Sequence, residues 1–422
     1  MITKAFKFRI YPSDNQIKIF DDCFRVDNFI YNYFLGLEKE TYDVLYMYGL
    51  RNGKNKEDKE LNKWRTEHKL WFNRFEASSH LTKISKFEKY SFLKVFPSNA
   101  RVYSIKCFES AIDGFKKGRT SFPKFKNKNS RKSFKTQVRG KLKITHENGS
   151  WYLIDLPSSK EFPIKDLKIK IHNEEFLHPG VKINSYTISK DSDQYFISFQ
   201  VEVPGEIPSK KEIKEETSVG VDFGVKKTIT LSSSDENPHE NQISFLTDSL
   251  KKLDRLQKIL SNKKRGSIKY NRIKDKISKL YRKISNQRNN AQHNVSSFLV
   301  NLEADSIVIE DLNIKGMTKT PDAIESDGQF LPNGKKEKSR LNRVMLDVGI
   351  GSIKTQLQYK AELHGKNVLM VNPQYTSQTC SECGFVHKDN RITQAEFKCQ
   401  KCGHSENADK NASKNIKKKY FS

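Results

Sequence analysis

At 422 residues the chain is long enough for two to four domains, each with its own core. Lys and Arg number 77 against 50 Asp and Glu, a net charge of +27, so the partner this composition fits is a polyanion, nucleic acid first among them. No run approaches the length of a membrane span and "MITKAFKFRIYP" has no signal-peptide core, so membrane-embedded and secreted classes are not expected. Four of the six cysteines form two C-x-x-C pairs while Cys23 and Cys107 stand alone in apolar segments. That is not a disulfide framework, and it suits a reducing cytoplasm.

The first predicted element is a strand, "AFKFRIYP", with Phe6, Phe8 and Ile10 on one face and Lys7 and Arg9 on the other. Pro12 stops it, and Ser13 with Gln16 spells a capping box for the helix that follows. The chain then reads as mostly helical to about residue 118, with a polar charged insert at 51–64. Residues 115–143 hold twelve Lys/Arg, no acid, and Phe115, Phe122, Phe125 and Phe134. Cations interleaved with aromatics suit phosphate neutralisation and base stacking. A solvated loop has the same composition. The candidate nucleic-acid contacts are Lys116, Lys117, Arg119, Lys124, Phe125, Lys126, Arg131, Lys132 and Lys135.

From 141 to 204 five short alternating segments ("KLKIT", "SWYLIDL", "LKIKIH", "VKINSYTIS", "QYFISFQVEV") predict a small antiparallel β-barrel. The first strand is expected to join it, which makes the helical region an insertion. "PSKKEIKEET" (208–217) reads as a linker. "SVGVDFGVKKTITLSSS" and "NQISFL" read as a strand hairpin, and 246–300 as a long helical hairpin turning at "SNKKRGS". Leu246, Leu250, Leu253, Leu256 and Leu260 stripe one arm; Ile273, Ile277, Leu280, Tyr281 and Ile284 stripe the other. Its span 251–290 carries fifteen Lys/Arg and two Asp, leaving a basic face for phosphates. "DSIVIEDL" (305–312) and "NVLMVN" (367–372) are apolar runs of the buried parallel-strand type. Between them, 318–340 has the Pro and Gly content of a mobile loop, and helix broken at "GIGS" (349–352) leads to about His364.

Cys380, Cys383, Cys399 and Cys402 stand as two C-x-x-C turns, each followed by a glycine, at a spacing that completes one tetrahedral sulfur site. Redox dithiols are the competing reading. Four thiolates leave no open position for His387 or His404, so one structural zinc is expected. Asp222 lies inside an apolar strand and Glu310 ends another. Each alone could be a strand-end residue facing water, and Asp409 alone an exposed helix residue. Together, carboxylates on two neighbouring strands and a following helix can converge on two divalent ions, magnesium or manganese, that cleave a phosphodiester.

"GVDFGVKKTITLS", "IVIEDLNI" and "NADKNASKNI" resemble the three motifs of a RuvC nuclease domain of ribonuclease H-like fold. "NPQYTSQTCSECGF" with "FKCQKCGHSENADKNASKNI" resembles the C-terminal part of the TnpB family, transposon-encoded RNA-guided endonucleases related to the miniature type V CRISPR effectors. "KAFKFRIYP" and "AIDGFKKGRTSFPKFKNKNSRKSF" are also similar to TnpB, so the resemblance covers most of the chain. It implies a multidomain α+β architecture. A wedge-like barrel domain takes 1–12 and 134–207, a helical recognition domain 13–133, and a linker 208–217. The nuclease domain takes 218–378 and 406–422, with the zinc ribbon inserted at 379–405. The ribbon would hold the start of the helix that presents Asp409 to Asp222 and Glu310, the catalytic acids and magnesium ligands. Arg391, in "DNRITQAEFKC", matches an active-site arginine of the miniature effectors; an arginine of the ribbon surface fits equally well.

The implied activity is RNA-guided DNA cleavage: a structured guide RNA is bound, a short motif beside the target is read, and a double-stranded DNA target is cut. The protein would work in a prokaryotic cytoplasm as a monomer or as a homodimer on RNA. Two alternatives stand beside it, a guide-free RuvC-like nuclease or resolvase and an RNA-guided repressor that binds without cutting.

Overall fold

The computed structural model describes the chain apart from residues 48–71, 139–141, 157–161, 226, 234–243, 321–323, 327–328 and 332–333. The polar insert at 51–64 lies outside the described residues. The chain divides into two compact units, Met1–Glu206 and Ile207–Ser422. No helix among the described residues is long and apolar enough to cross a membrane.

The first unit is one antiparallel sheet with helices inserted between its first two strands. β1 (Ile2–Tyr11) runs to the capping box, where the Ser13 amide donates to Gln16 Oε1 at 2.9 Å and the Gln16 amide to Ser13 Oγ at 3.4 Å. α1 (Asp14–Met47), α2 (Arg74–Ile84) and α3 (Ser98–Lys116) follow, then β2 (Lys132–Gln137), β3 (Lys143–Asn148), β4 (Trp151–Asp155), β5 (Leu167–Lys170), β6 (Lys182–Asp191) and β7 (Gln194–Val203). The strand order is β2-β6-β7-β1-β5-β4-β3, so β1 sits inside the sheet as expected. β2 and β3 are its two edges, and among the described residues no hydrogen bonds close the expected barrel into a ring.

The basic aromatic stretch is only partly available for stacking. Phe134 alternates inward from β2 and is 2 % exposed in the sheet–helix core, against Phe20, Phe24 and Phe96. Phe122 packs edge-on against Phe115 at 5.2 Å between ring centroids. Phe125 alone of the four is an exposed aromatic. Lys126 reaches Asp27 Oδ2 at 2.9 Å and lies over the Tyr31 ring, and Lys135 donates to Gln200 Oε1 at 2.9 Å. These two are tied into the unit, whereas Lys117, Arg119, Lys124, Arg131 and Lys132 are exposed and Lys116 half-buried.

The second unit is built on a four-stranded sheet of order β13-β10-β8-β9. Its strands are β8 (Ser218–Asp222), β9 (Thr230–Leu231), β10 (Ser306–Glu310) and β13 (Asn367–Val371). β8, β10 and β13 are parallel and β9 is antiparallel to β8. α4 (Ser244–Ser261) and α5 (Ile268–Asn301) form the helical hairpin, joined through the Leu250, Leu253, Leu256, Leu260, Ile273, Ile277, Leu280 and Ile284 stripes. Tyr281 is instead half exposed, its hydroxyl accepting from Gln257 Nε2 at 2.8 Å. Residues 244–246 of "NQISFL" begin α4 rather than a strand, because the apolar run is too short to distinguish the two by period; 241–243 lie outside the described residues.

Two further expectations change. The supposed loop at 318–340 contains a short hairpin, β11 (Ile324–Ser326) with β12 (Gln329–Leu331), and the start of α6 (Lys335–Val348). α7 (Ile350–Leu363) follows after Gly349, whose φ of 69° breaks the helix. The segment 208–217 is exposed coil but not free. Lys211 pairs with Asp305 at 2.6 Å, and its carbonyl accepts from Asn367 Nδ2 at 2.9 Å.

One buried acid of the first unit, Asp27, offers a test of its packing. Asp27 accepts from Ser104 Oγ at 2.5 Å and from Lys126. Asp27→Ala strands both donors and should cost about 2 kcal/mol, read as a lower urea midpoint with unchanged slope. Asp27→Asn should recover part of the loss through the Ser104 bond.

Candidate active site

The runs "SVGVD" and "SIVIE" are buried at four positions and half-buried at the fifth, which in both is the carboxylate. Strands covered on both faces read as continuous apolar runs, and the first polar residue marks where they leave the core. Val221 is level with Ile309 in the parallel ladder, so Asp222 and Glu310 emerge side by side at the carboxyl ends of adjacent strands. That edge of an open parallel sheet is where loops leave room for a ligand.

The third acid arrives on α8 (Ala408–Phe421), where Asp409 sits in the first turn. Asn407 caps it, its Oδ1 accepting from the amides of Asp409 at 3.0 Å and Lys410 at 3.2 Å. α8 lies directly on β8. A Cβ added at Gly220 would stand 2.1 Å from the Ser413 carbonyl oxygen and 2.9 Å from the Lys417 amide. Only glycine lets the helix backbone come this close.

β14 (Glu396–Lys398) and β15 (Ser405–Asn407) form the small ribbon that precedes α8. The sulfurs of Cys380, Cys383, Cys399 and Cys402 all lie within 4.8 Å of one another, with Cys380–Cys402 at 3.7 Å and Cys383–Cys399 at 3.6 Å. A tetrahedron with metal–sulfur bonds of about 2.3 Å has edges of about 3.8 Å, so the donor set and its size fit zinc. Gly384 and Gly403 take φ of 71° and 75° to close the two knuckles. Neither histidine joins: His387 Nδ1 faces Asp389, and His404 Nε2 bonds Glu406 Oε1 at 3.0 Å.

The ribbon is stitched to α8. The Ser381 amide donates to Asn411 Oδ1 at 2.9 Å, and Asn411 Nδ2 donates to the Thr379 carbonyl at 2.8 Å. Asn415 Nδ2 reaches the carbonyls of Thr376 at 2.9 Å and Thr379 at 2.6 Å. Glu406 gathers His404, Ser381 and Lys414. These bonds fix the start of the helix, and with it Asp409.

Electrostatically the acids stand in tension. Burial pushes the Asp222 carboxyl up to about 7, with Glu310 and Asp409 adding to it; Arg391 and the Phe223 backbone oppose the rise. Burial also raises Glu310, against the Thr376 hydroxyl and Lys419. Thr376 Oγ1 donates to Glu310 Oε1 at 2.5 Å. Arg391 donates to Asp409 Oδ1 at 3.1 Å and to the Gln394 carbonyl at 2.8 Å. So all four residues singled out in the sequence as catalytic belong to one electrostatic cluster. Among the described residues only the cysteines bring all their ligand atoms within 4.8 Å of one another. The acids are spread more widely. Hard oxygen donors whose mutual repulsion Arg391 and Lys419 only partly offset fit divalent cations such as magnesium or manganese.

Thr376, Gly220, Asn411 and Asn415 were not singled out by the sequence reading. A glycine inside an apolar strand was the available sign for Gly220, and the i,i+4 pair of asparagines in "NADKNASKNI" for the stitching of α8.

Residues 351–416 match the family described as "Cas12f1-like, TNB domain", residues 197–320 the family "Probable transposase", and residues 1–43 a "Helix-turn-helix domain". In this chain 1–43 is one strand and most of one long helix. "Putative RNA-guided DNA endonuclease InsQ" of Escherichia coli K12 is 32 % identical over 98 % of this chain and 91 % of its own length. A "Putative RNA-guided DNA endonuclease" of Streptomyces pristinaespiralis is 24 % identical over 98 % of this chain and 89 % of its own. The fold resembles that of Cas12f1 in its complex with sgRNA and target DNA, with a TM-score of 0.54, 15 % identity and coverage of 99 % of this chain and 98 % of the other.

Two tests follow from this geometry. Gly220→Ala should cost about 3 kcal/mol or more, because backbone rather than a movable side chain blocks the Cβ. The raised Asp222 carboxyl keeps in the folded state a proton that the unfolded chain has lost. Its contribution is therefore fully present below pH 4, falls as pH rises, and is gone above about 7. In EDTA, wild-type melting temperature should drop between pH 5 and 8 relative to Asp222→Asn, and magnesium should flatten that difference.

Proposed function

The chain belongs to the TnpB family, and on that premise we propose that it is an RNA-guided DNA endonuclease that cuts through a single RuvC-type site. The observation that carries this reading is the meeting of Asp222, Glu310 and Asp409 at the carboxyl ends of β8 and β10. Asp222, Glu310 and Asp409 would hold two divalent ions, which supply an activated water and neutralise the leaving oxygen of a phosphodiester. Within the chain, Thr376 takes one oxygen of Glu310 and leaves the other for the site, and Arg391 offsets part of the negative charge at Asp409. The four cysteines would hold one structural zinc, whose role is to fix the ribbon against α8.

The domain roles belong to the same proposal. The sheet of 1–12 and 134–207 and the helices of 13–133 would grip guide RNA and read a motif beside the target. Residues 218–378 and 406–422 would form the nuclease, with the ribbon at 379–405. The exposed cations Lys117, Arg119, Lys124, Arg131 and Lys132, with Phe125, are the contacts best supported for nucleic acid. Lys116, Lys126 and Lys135 are less available. Guide pairing would supply sequence specificity, and the excess charge would supply backbone affinity that weakens with salt.

The test is Asp222→Ala, purified with the RNA that the native flanking DNA encodes. Cleavage of a matched double-stranded target should fall by about a hundredfold or more, while target binding by gel shift stays within about twofold. Loss of binding together with cleavage would make Asp222 a structural residue and sink the assignment.

A further inference from the structure

Among the described residues, three that are not glycine have positive φ: Asp166, Ser192 and Tyr375. Asp and Ser are ordinary occupants of tight turns. A bulky aromatic there is an outlier, with backbone strain that persists only where the surroundings impose it. At Tyr375, with φ of 64°, the surroundings do impose it. The Tyr375 carbonyl accepts from the Gln378 and Thr379 amides, both at 3.0 Å, and from Thr379 Oγ1 at 2.8 Å. Asn372 Oδ1 accepts from the Gln374 amide at 2.9 Å. The turn itself would be easier with glycine or asparagine, so the backbone does not account for the ring.

Packing does not account for it either. The Tyr375 side chain is 61 % exposed and, among the described residues, has no aromatic or cationic partner. It stands at the rim of a groove of about 490 Å³ between the first cysteine knuckle and α8. Val386, itself half exposed, lines the groove with Thr376, Lys418 and Lys419. Lys419 Nζ is spent on one carbonyl, that of Gln374 at 2.6 Å, and Lys418 Nζ on that of Ser381, so each ammonium keeps donors for a phosphate. Glu382 is the acid in the lining. Thr376, the neighbour of Tyr375 in the chain, is the residue that bonds Glu310.

We propose that Tyr375 is a stacking platform for one unpaired base of the DNA strand being cut, held at the rim of this groove one residue from the contact that orients Glu310. A face of exposed aromatic surface binds any base without reading it, and a neighbouring cation steadies the phosphate. The strain is then the cost of turning the ring outward to solvent at the rim of the groove. The inference rests on the reading of the chain as a DNA endonuclease.

The experiment uses the full chain with its RNA and compares wild type with Tyr375→Phe, Tyr375→Ala and Tyr375→Gly. Single-stranded DNA carrying 2-aminopurine is titrated in EDTA, where no cutting occurs, and quenching of the probe reports stacking. Cleavage with magnesium is then measured on the same oligonucleotide sequence. Wild type and Tyr375→Phe should quench alike. Tyr375→Ala and Tyr375→Gly should lose the quench and raise KM about tenfold, with kcat within about twofold. Tyr375→Gly should also melt at or above the wild-type temperature, because glycine relieves the positive φ. A quench unchanged in Tyr375→Ala would overturn the proposal, as would a Tyr375→Gly protein that melts lower. So would a quench seen only when the probe is in the guide RNA. Ring-dependent quenching without any cleavage by wild type would uphold the platform and refute the endonuclease reading. Cleavage without ring-dependent quenching would do the reverse.

Discussion

The contact on which the second unit depends is the approach of α8 to Gly220. Sheet and helix meet there with the Ser413 carbonyl and the Lys417 amide and Cβ where a Gly220 side chain would stand. An ordinary helix–sheet packing would hold the helix away by the thickness of a residue. Removing that layer brings the first turn of α8 level with the ends of β8 and β10, and so turns two strand-end carboxylates into a cluster of three. The repulsion that results is visible in Asp222, whose proton is held to about pH 7. Such a cluster is costly to fold. A functional site is where that kind of local conflict is expected.

The ribbon supplies what the close contact cannot, namely the axial position of the helix. The contact at Gly220 sets how near α8 lies to β8. The bonds from Asn411 and Asn415 to the loop carbonyls, and the Glu406 cluster, set where along the strand the helix stops. Donor chemistry keeps the two metal environments apart. The thiolates of the ribbon suit a soft ion and the carboxylates a hard one, and α8 begins between the two sets without a ligand atom common to both.

Much of this arrangement was legible in the sequence because burial writes itself into composition. Two five-residue apolar runs each ending in an acid, and two C-x-x-C turns, indicate from sequence where the acids leave the core and which cysteines meet. The capping box at Ser13 was legible for the same reason: its chemistry is local. What could not be read depends on contacts between distant segments. Thr376 reaches Glu310 across 66 residues of chain. Phe134 looked like a member of a basic, aromatic surface because Lys132 and Lys135 flank it, and charge around a short edge strand hides which of its faces is inward. Residues 244–246 looked like a strand because three residues cannot declare a period.

The seven-stranded sheet of the first unit keeps two edges, and their composition has a consequence for how the protein behaves when crowded. β2 reads "KSFKTQ" and β3 "KITHEN", and β3 is mostly exposed. Its pairing with β4 shifts register between His146 and Asn148. Lysines on an edge, together with an irregular ladder, discourage the row of free amides and carbonyls from recruiting a strand of another molecule. Copies of so basic a chain that come close together should therefore not zip edge to edge. The same lysines that make the chain so basic also keep its open sheets from merging with those of other copies.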